Sequence, residues 1–215
     1  MRTIGRVPLT AVVLMTVVSL LNVFGVRLAG MSVVIGVVFF FLTNALEKQS
    51  VVVTGLDLKG TRIVLENPAI WLWMVLPLVM NGVCLTVSRL FFPDFLKHIL
   101  NRTELSVSFG RGVLLILQLA VLAIGEEIAW RAFFQKQLSK SLSVVPALLV
   151  TSTLFAFAHF MEGTNAIVLF DLIFVFINSV LYGVIFSKTN NAWVSAISHF
   201  AANVFAIVML GLWRL

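Results

Sequence analysis

Glu126, Glu127 and Arg131 place three ionisable groups within six positions of the apolar run LAIGEEIAWRAFF, Leu122 to Phe134. A charge at the centre of a membrane helix costs about 2.5–3.5 kcal/mol on insertion scales, so three of them need a reason. On a helix, residues four apart share a face, and Glu127 can meet Arg131 in the favourable glutamate-first order. Glu126 is turned about 100° from Glu127 and is poorly placed for the same cation. The spacing therefore assigns Glu127 to Arg131 and leaves Glu126 to face something else. Two later apolar runs supply the polar company. FAFAHF carries His159 four residues after Phe155, and SHFAAN carries His199 with Asn203 one turn later on the same face.

A carboxylate, two imidazoles and an amide suit hydrolysis, metal binding or proton transfer. Each residue also has a plainer reading. A buried histidine can be a satisfied packing residue, Asn203 can bond a neighbouring helix, and Glu127 with Arg131 can be an ion pair that fixes packing. Glu126 resists that treatment, because a second carboxylate in lipid needs a role or a proton. Asp171 either lines the same site or caps its helix. Glu162, with Gly163, marks a turn at the interface. Ser179 with Gly183 and Ala202 with Ala206 are small pairs suited to close helix contact.

These groups have to be positioned by long apolar elements. The chain has 215 residues, 60% hydrophobic and 11% charged, against roughly a quarter charged in an ordinary soluble domain. An all-α membrane helix bundle follows, with about seven spans (six to eight): residues 7–26, 30–46, 69–91, 112–135, 144–161, 166–186 and 192–213. The second and fifth are short for a crossing and could be re-entrant. A single membrane domain, residues 1–215, accommodates them. The net charge of +6 is scattered over connections and flanks, which points to anionic lipid head groups and away from nucleic acid. A cytoplasmic N-terminus puts Arg2, Arg6, Lys48, Lys59, Arg62, Lys136, Lys140 and Lys188 inside. Arg27, Arg89, Lys97, Arg102, Arg111 and Arg214 then lie outside, and the bias favours this orientation. The basic start and apolar stretch that follows read as a retained first helix.

Two connections are longer. Residues 47–68 mix charged and β-branched residues and end in Asn-Pro, which suits a helix start. Residues 92–111 place Phe95, Ile99 and Leu100 on one side of a short segment, either an interfacial helix or a solvated loop. His98 in that segment reads as a surface residue. Cys84 is the sole cysteine and lies in an apolar run, so no disulfide forms within one chain. With turns near Ser141 and Thr189, Glu126, His159 and His199 lie roughly 22, 27 and 15 Å from one membrane face, close enough to converge given tilt.

Taken together, Glu126-Glu127-x-x-x-Arg131, Phe155-x-x-x-His159 and His199-x-x-x-Asn203 resemble the CAAX protease and bacteriocin-processing family of intramembrane proteases, also called Abi proteins. The three motifs fall in the family's order on separate spans, and residues 112–213 would form its catalytic helices. The family often has eight spans and a glycine-bearing motif between the histidines, where this chain reads FINSVLYGVIF. The first 110 residues carry no motif of the family. The resemblance implies a multi-pass protein of a prokaryotic plasma membrane that hydrolyses a membrane-associated peptide or protein. Glu126 and His159 would activate water, and His199 and Asn203 would stabilise the oxyanion, with Glu127 and Arg131 in support. The family's metalloprotease-like character leaves zinc open, held by Glu126, His159 and His199, although no His-Glu-x-x-His helix is present. Alternatives of other classes are a bacteriocin-immunity or membrane-partner protein without proteolysis, and a proton-coupled transporter. The transporter would call for internal repeats or paired broken helices, which the sequence does not show.

Overall fold

The computed structural model describes residues 4–24, 28, 30–48, 50–104 and 112–213. Arg2, Arg27, Arg111 and Arg214, used above for orientation, lie outside these residues, as do the end of the first expected span and residues 105–111. The described residues are helices joined by short connections: α1 (Arg6–Val23), α2 (Met31–Glu47), α3 (Val51–Thr54), α4 (Leu58–Leu65), α5 (Pro68–Phe91) and α6 (Phe95–Glu104). The rod α7 begins at Gly112–Glu127 and runs on through Ile128–Gln135 and Lys136–Leu138, followed by α8 (Val144–Ala158), α9 (Asn165–Thr189) and α10 (Ala192–Trp213).

Among the described residues, five helices are long and apolar enough to cross a membrane: Arg6–Val23, Pro68–Phe91, Val113–Leu138, Asn165–Thr189 and Ala192–Leu212. The second and fifth expected spans are the shorter apolar helices Met31–Glu47 and Val144–Ala158. Both pack into the bundle, α2 on α1 and α7, and α8 on α1 and α9. Outward positions along the rods are large apolar side chains such as Val13, Val79, Leu117, Val121 and Leu149. In water that surface would be untenable, and hydrocarbon suits it. The protein is a multi-pass membrane protein.

Local rules explain the boundaries. The Asn67 side chain accepts the Ala69 N–H at 3.0 Å, and Pro68 occupies the first helical turn of α5, where it loses no bond. Residues 47–68 hold α3 and α4 rather than a plain loop. The Asp57 carboxylate accepts the Gly60 N–H at 3.0 Å to start α4. The segment from Phe95 forms a helix rather than a loop, with Phe95 itself 1% exposed and packed edge-on against Phe170.

His98 corrects its reading from sequence. It is buried, and its Nε2 lies 3.3 Å from Asp171 Oδ2 on α9. Helix α6 folds back over the bundle, which charge counting within the segment does not reveal. The same pair settles Asp171, which lies inside α9, buried, and lines the central cavity rather than capping a helix.

The centre of the bundle is where α7 changes pitch. From Ile128 to Gln135 the backbone winds as a π-helix, with the Lys136 N–H reaching the Arg131 carbonyl, five residues back. All eight residues of this stretch are buried. Trp130, Phe133 and Phe134 pack there with Met15, Phe40, Phe155 and Phe186. Close approach of α2 depends on Gly36, where an added Cβ would lie 2.5 Å from the Ala129 Cβ. Small residues facing each other let membrane helices meet at backbone distance.

Candidate active site

Glu127 and Arg131 meet as their spacing requires. Arg131 Nε lies 3.3 Å from Glu127 Oε2, both side chains fully buried. The guanidinium also donates from Nη2 to Ser179 Oγ at 3.2 Å and stands 5.0 Å from the centre of the Phe155 ring. Ser179 is thus a hydrogen-bond partner of Arg131 as well as a small contact residue. The ion pair, one hydrogen bond and an aromatic face offset the desolvation of the cation in this interior.

Glu126 faces away from Arg131 and toward both histidines. Its Oε1 lies 3.9 Å from His159 Nε2, and its Oε2 lies 3.7 Å from His199 Nε2. One carboxylate therefore sits between two imidazoles contributed by different helices.

Each imidazole is held by its other nitrogen. His159 Nδ1 lies 2.8 Å from the Phe155 carbonyl oxygen. A carbonyl only accepts, so Nδ1 carries a proton and the Nε2 lone pair is directed elsewhere. His199 Nδ1 lies 3.0 Å from Glu127 Oε1, so an ionised Glu127 fixes a proton there too. Glu127 thereby joins Arg131 to His199, a link that spacing along one helix cannot show. Helix α8 ends at Ala158 and His159 follows in a non-helical conformation, so this imidazole hangs from a helix end rather than from mid-span.

The ring stacking is equally specific. Phe155 and His159 have centroids 4.4 Å apart, and Tyr182 on α9 lies parallel to His199 at 4.3 Å. Tyr182 was missed from sequence, because an aromatic residue in an apolar span gives no sign of which ring it will meet. Asn203 lines the same cavity as Glu126, His159 and His199. Next to it, Asn81 on α5 donates to the Ala202 carbonyl at 2.9 Å, and Asn178 donates to Asn81 Oδ1 at 2.7 Å. Asn81 and Asn178 were also missed. Amides inside apolar runs were the available signal.

The cavity measures about 500 Å³. Its wall is apolar through Leu85, Leu119, Leu122, Phe174 and Ile207, and polar groups including Glu126, His159, His199 and Asn203 also line it. Among the described residues, no three His, Cys, Asp or Glu side chains are placed to hold a metal ion together. Ligands of a tetrahedral zinc with bonds of about 2.1 Å lie about 3.4 Å apart, tighter than the 3.7 and 3.9 Å separations at Glu126. Zinc would require these side chains to draw inward.

No curated protein and no solved structure matches the chain. Residues 109–205 match the family model described as type II CAAX prenyl endopeptidase Rce1-like. That stretch carries the Glu-Glu-x-x-x-Arg, Phe-x-x-x-His and His-x-x-x-Asn residues just described, of which Glu126, Phe155, His159, His199 and Asn203 line the cavity. Over that stretch the chain is similar to the type II CAAX prenyl endopeptidases.

Proposed function

We propose that the protein cleaves a membrane-associated peptide with water activated by Glu126 and His159. The observation that carries this reading is the double approach to Glu126, each carboxylate oxygen within 4 Å of a histidine Nε2. Catalytic contacts are often long without substrate and tighten around it. Water between Glu126 and His159 would give one proton to the carboxylate while the Nε2 lone pair accepts its other hydrogen in a hydrogen bond. The water oxygen attacks the peptide carbonyl carbon, and the C=O electron pair moves onto oxygen.

His199 and Asn203 face this oxyanion and donate to it, the interaction usually worth most in acyl transfer. With Nδ1–H already given to Glu127, His199 donates from Nε2 as an imidazolium, whose charge the Glu127 carboxylate supports. Collapse of the tetrahedral intermediate breaks the C–N bond. The proton held on Glu126 passes to the departing nitrogen, and the carbonyl re-forms as a carboxylic acid, which passes its hydroxyl proton to the amine as acid and amine leave as carboxylate and ammonium. Glu127 and Arg131 hold the geometry.

The substrate we propose is a short peptide segment anchored in the plasma membrane of a prokaryote, entering the cavity from the lipid side. Glu126→Gln should remove cleavage of a farnesylated reporter peptide ending in Cys-aliphatic-aliphatic-X, or of native membrane peptides, with folding unchanged. The second arm compares membrane peptidomes of cells carrying the wild-type chain and the Glu126→Gln variant. Full cleavage by that variant would remove Glu126 from the mechanism. Metal analysis of purified protein, with activity assayed after chelation, separates the glutamate-driven route from a zinc-dependent one. The glutamate route predicts activity that survives chelation. Binding to a membrane partner unchanged by Glu126→Gln, with no peptide altered, would instead favour an immunity role.

A further inference from the structure

The family motifs leave the first helix without a role, yet α1 reaches the site through one side chain. Asn22 Nδ2 lies 3.1 Å from the Phe157 carbonyl oxygen, 3.2 Å from that of Ala158 and 2.9 Å from that of Phe160. These three carbonyls bracket His159 in sequence. Helix α8 ends at Ala158, and its last carbonyls have no partner within the helix. The closing turn tightens, with the His159 N–H bonded to the Ala156 carbonyl at 2.9 Å and that of Phe160 to the Phe157 carbonyl at 3.1 Å. Carbonyls on both sides of His159 then converge on one amide from another helix.

We propose that Asn22 is a positioning residue that sets the backbone turn carrying His159, and so aims its Nε2 at Glu126. The argument runs through the ring's remaining freedom. Nδ1 is tied to the Phe155 carbonyl one turn back, which fixes the ring only relative to α8. Where the ring sits relative to Glu126 on α7 depends on the direction in which the chain leaves α8. Asn22 fixes that direction from outside, and its side chain lines the same cavity as the histidine. An amide suits the task because its two N–H groups can serve several carbonyls at once, whereas a carboxylate would repel them. The N-terminal helix is thereby part of the catalytic apparatus, although it lies outside the matched residues 109–205. Second-layer groups that orient a histidine in this way typically change activity by roughly 10–100-fold.

The consequence for turnover rests on the proposed hydrolase reading, but the positioning can be read without it. The chain has three histidines, so ¹⁵N-imidazole NMR in micelles resolves His98, His159 and His199 once each is assigned by substitution. Asn22→Ala should shift the Nε2 resonance of His159, the nitrogen that faces Glu126, with those of His98 and His199 unmoved. On the reporter peptide, kcat should fall roughly 10–100-fold with KM little changed. Asn22→Gln, which keeps the amide on a longer arm, should recover part of both. It also supplies the reading should the alanine variant fold poorly. Unchanged His159 resonances in either folded variant would overturn the proposal. Should Glu126→Gln retain cleavage while Asn22→Ala still shifts His159, the hydrolase mechanism falls and the positioning role stands.

Discussion

Arg131 is the residue whose environment leaves it least choice. It is fully buried, and Glu127, Ser179 and the Phe155 ring surround it. Breaking a buried ion pair by removing one partner typically costs about 3–5 kcal/mol, because the other charge is left without compensation. Arg131→Met should therefore lower stability by about that amount, read by denaturant or thermal unfolding in detergent. Glu127 would at the same time lose its anchor and let His199 move, so cleavage should fall together with stability. A variant of wild-type stability would show that Arg131 is not the keystone of this cluster. Glu127 is the more informative residue, since it contacts Arg131 with one oxygen and His199 with the other. That second bond joins residues 72 positions apart, and no local pattern encodes it.

At the scale of elements, the π-wound part of α7 is the piece against which the others are set. Such winding recurs at functional sites, where one extra residue per turn re-aims side chains. Here it lies immediately after Glu127 and contains Arg131. Helix α2 closes on it through Gly36, whose added Cβ would also fall 2.9 Å from the Ala129 backbone. A backbone atom cannot swing aside as a long side chain can. Gly36→Val should therefore push α2 outward and cost about 1–3 kcal/mol, the usual range for overpacking. A thermal unfolding midpoint equal to that of the wild type would show that α2 is free to move there. Helix α6 is fixed differently, by Phe95 in an aromatic cluster and by the His98–Asp171 pair. It covers the bundle beside the cavity wall that Asp171 and Phe95 help to form.

For the whole molecule, the cavity joins helices from both ends of the chain. Asn22 from α1, Cys84 from α5, Glu126 from α7 and Asn203 from α10 all line it. Cys84 is the sole cysteine, so one thiol reports on this space. A membrane-permeant maleimide should react slowly with Cys84, which is 7% exposed, and block cleavage once attached. Cys84→Ala should stay active and indifferent to the reagent. Complete labelling with full activity would place the substrate path elsewhere.

The sequence by itself determined the membrane class, the helical architecture and the pairing of Glu127 with Arg131. Those follow from apolar run length and from helical periodicity, which act over a few residues. It also held the side chains around the cavity, since Glu126, His159, His199 and Asn203 stand out as polar groups in lipid-length runs. Only the tertiary structure decided which histidine nitrogen faces Glu126, that Glu127 also holds His199, that Tyr182 stacks on that ring, and that His98 is buried against Asp171. It decided too that the first helix reaches the turn at His159. Each of these depends on how separate rods rotate and tilt against one another. That packing is set by the sum of many contacts between distant residues, and spacing along one rod carries no record of it.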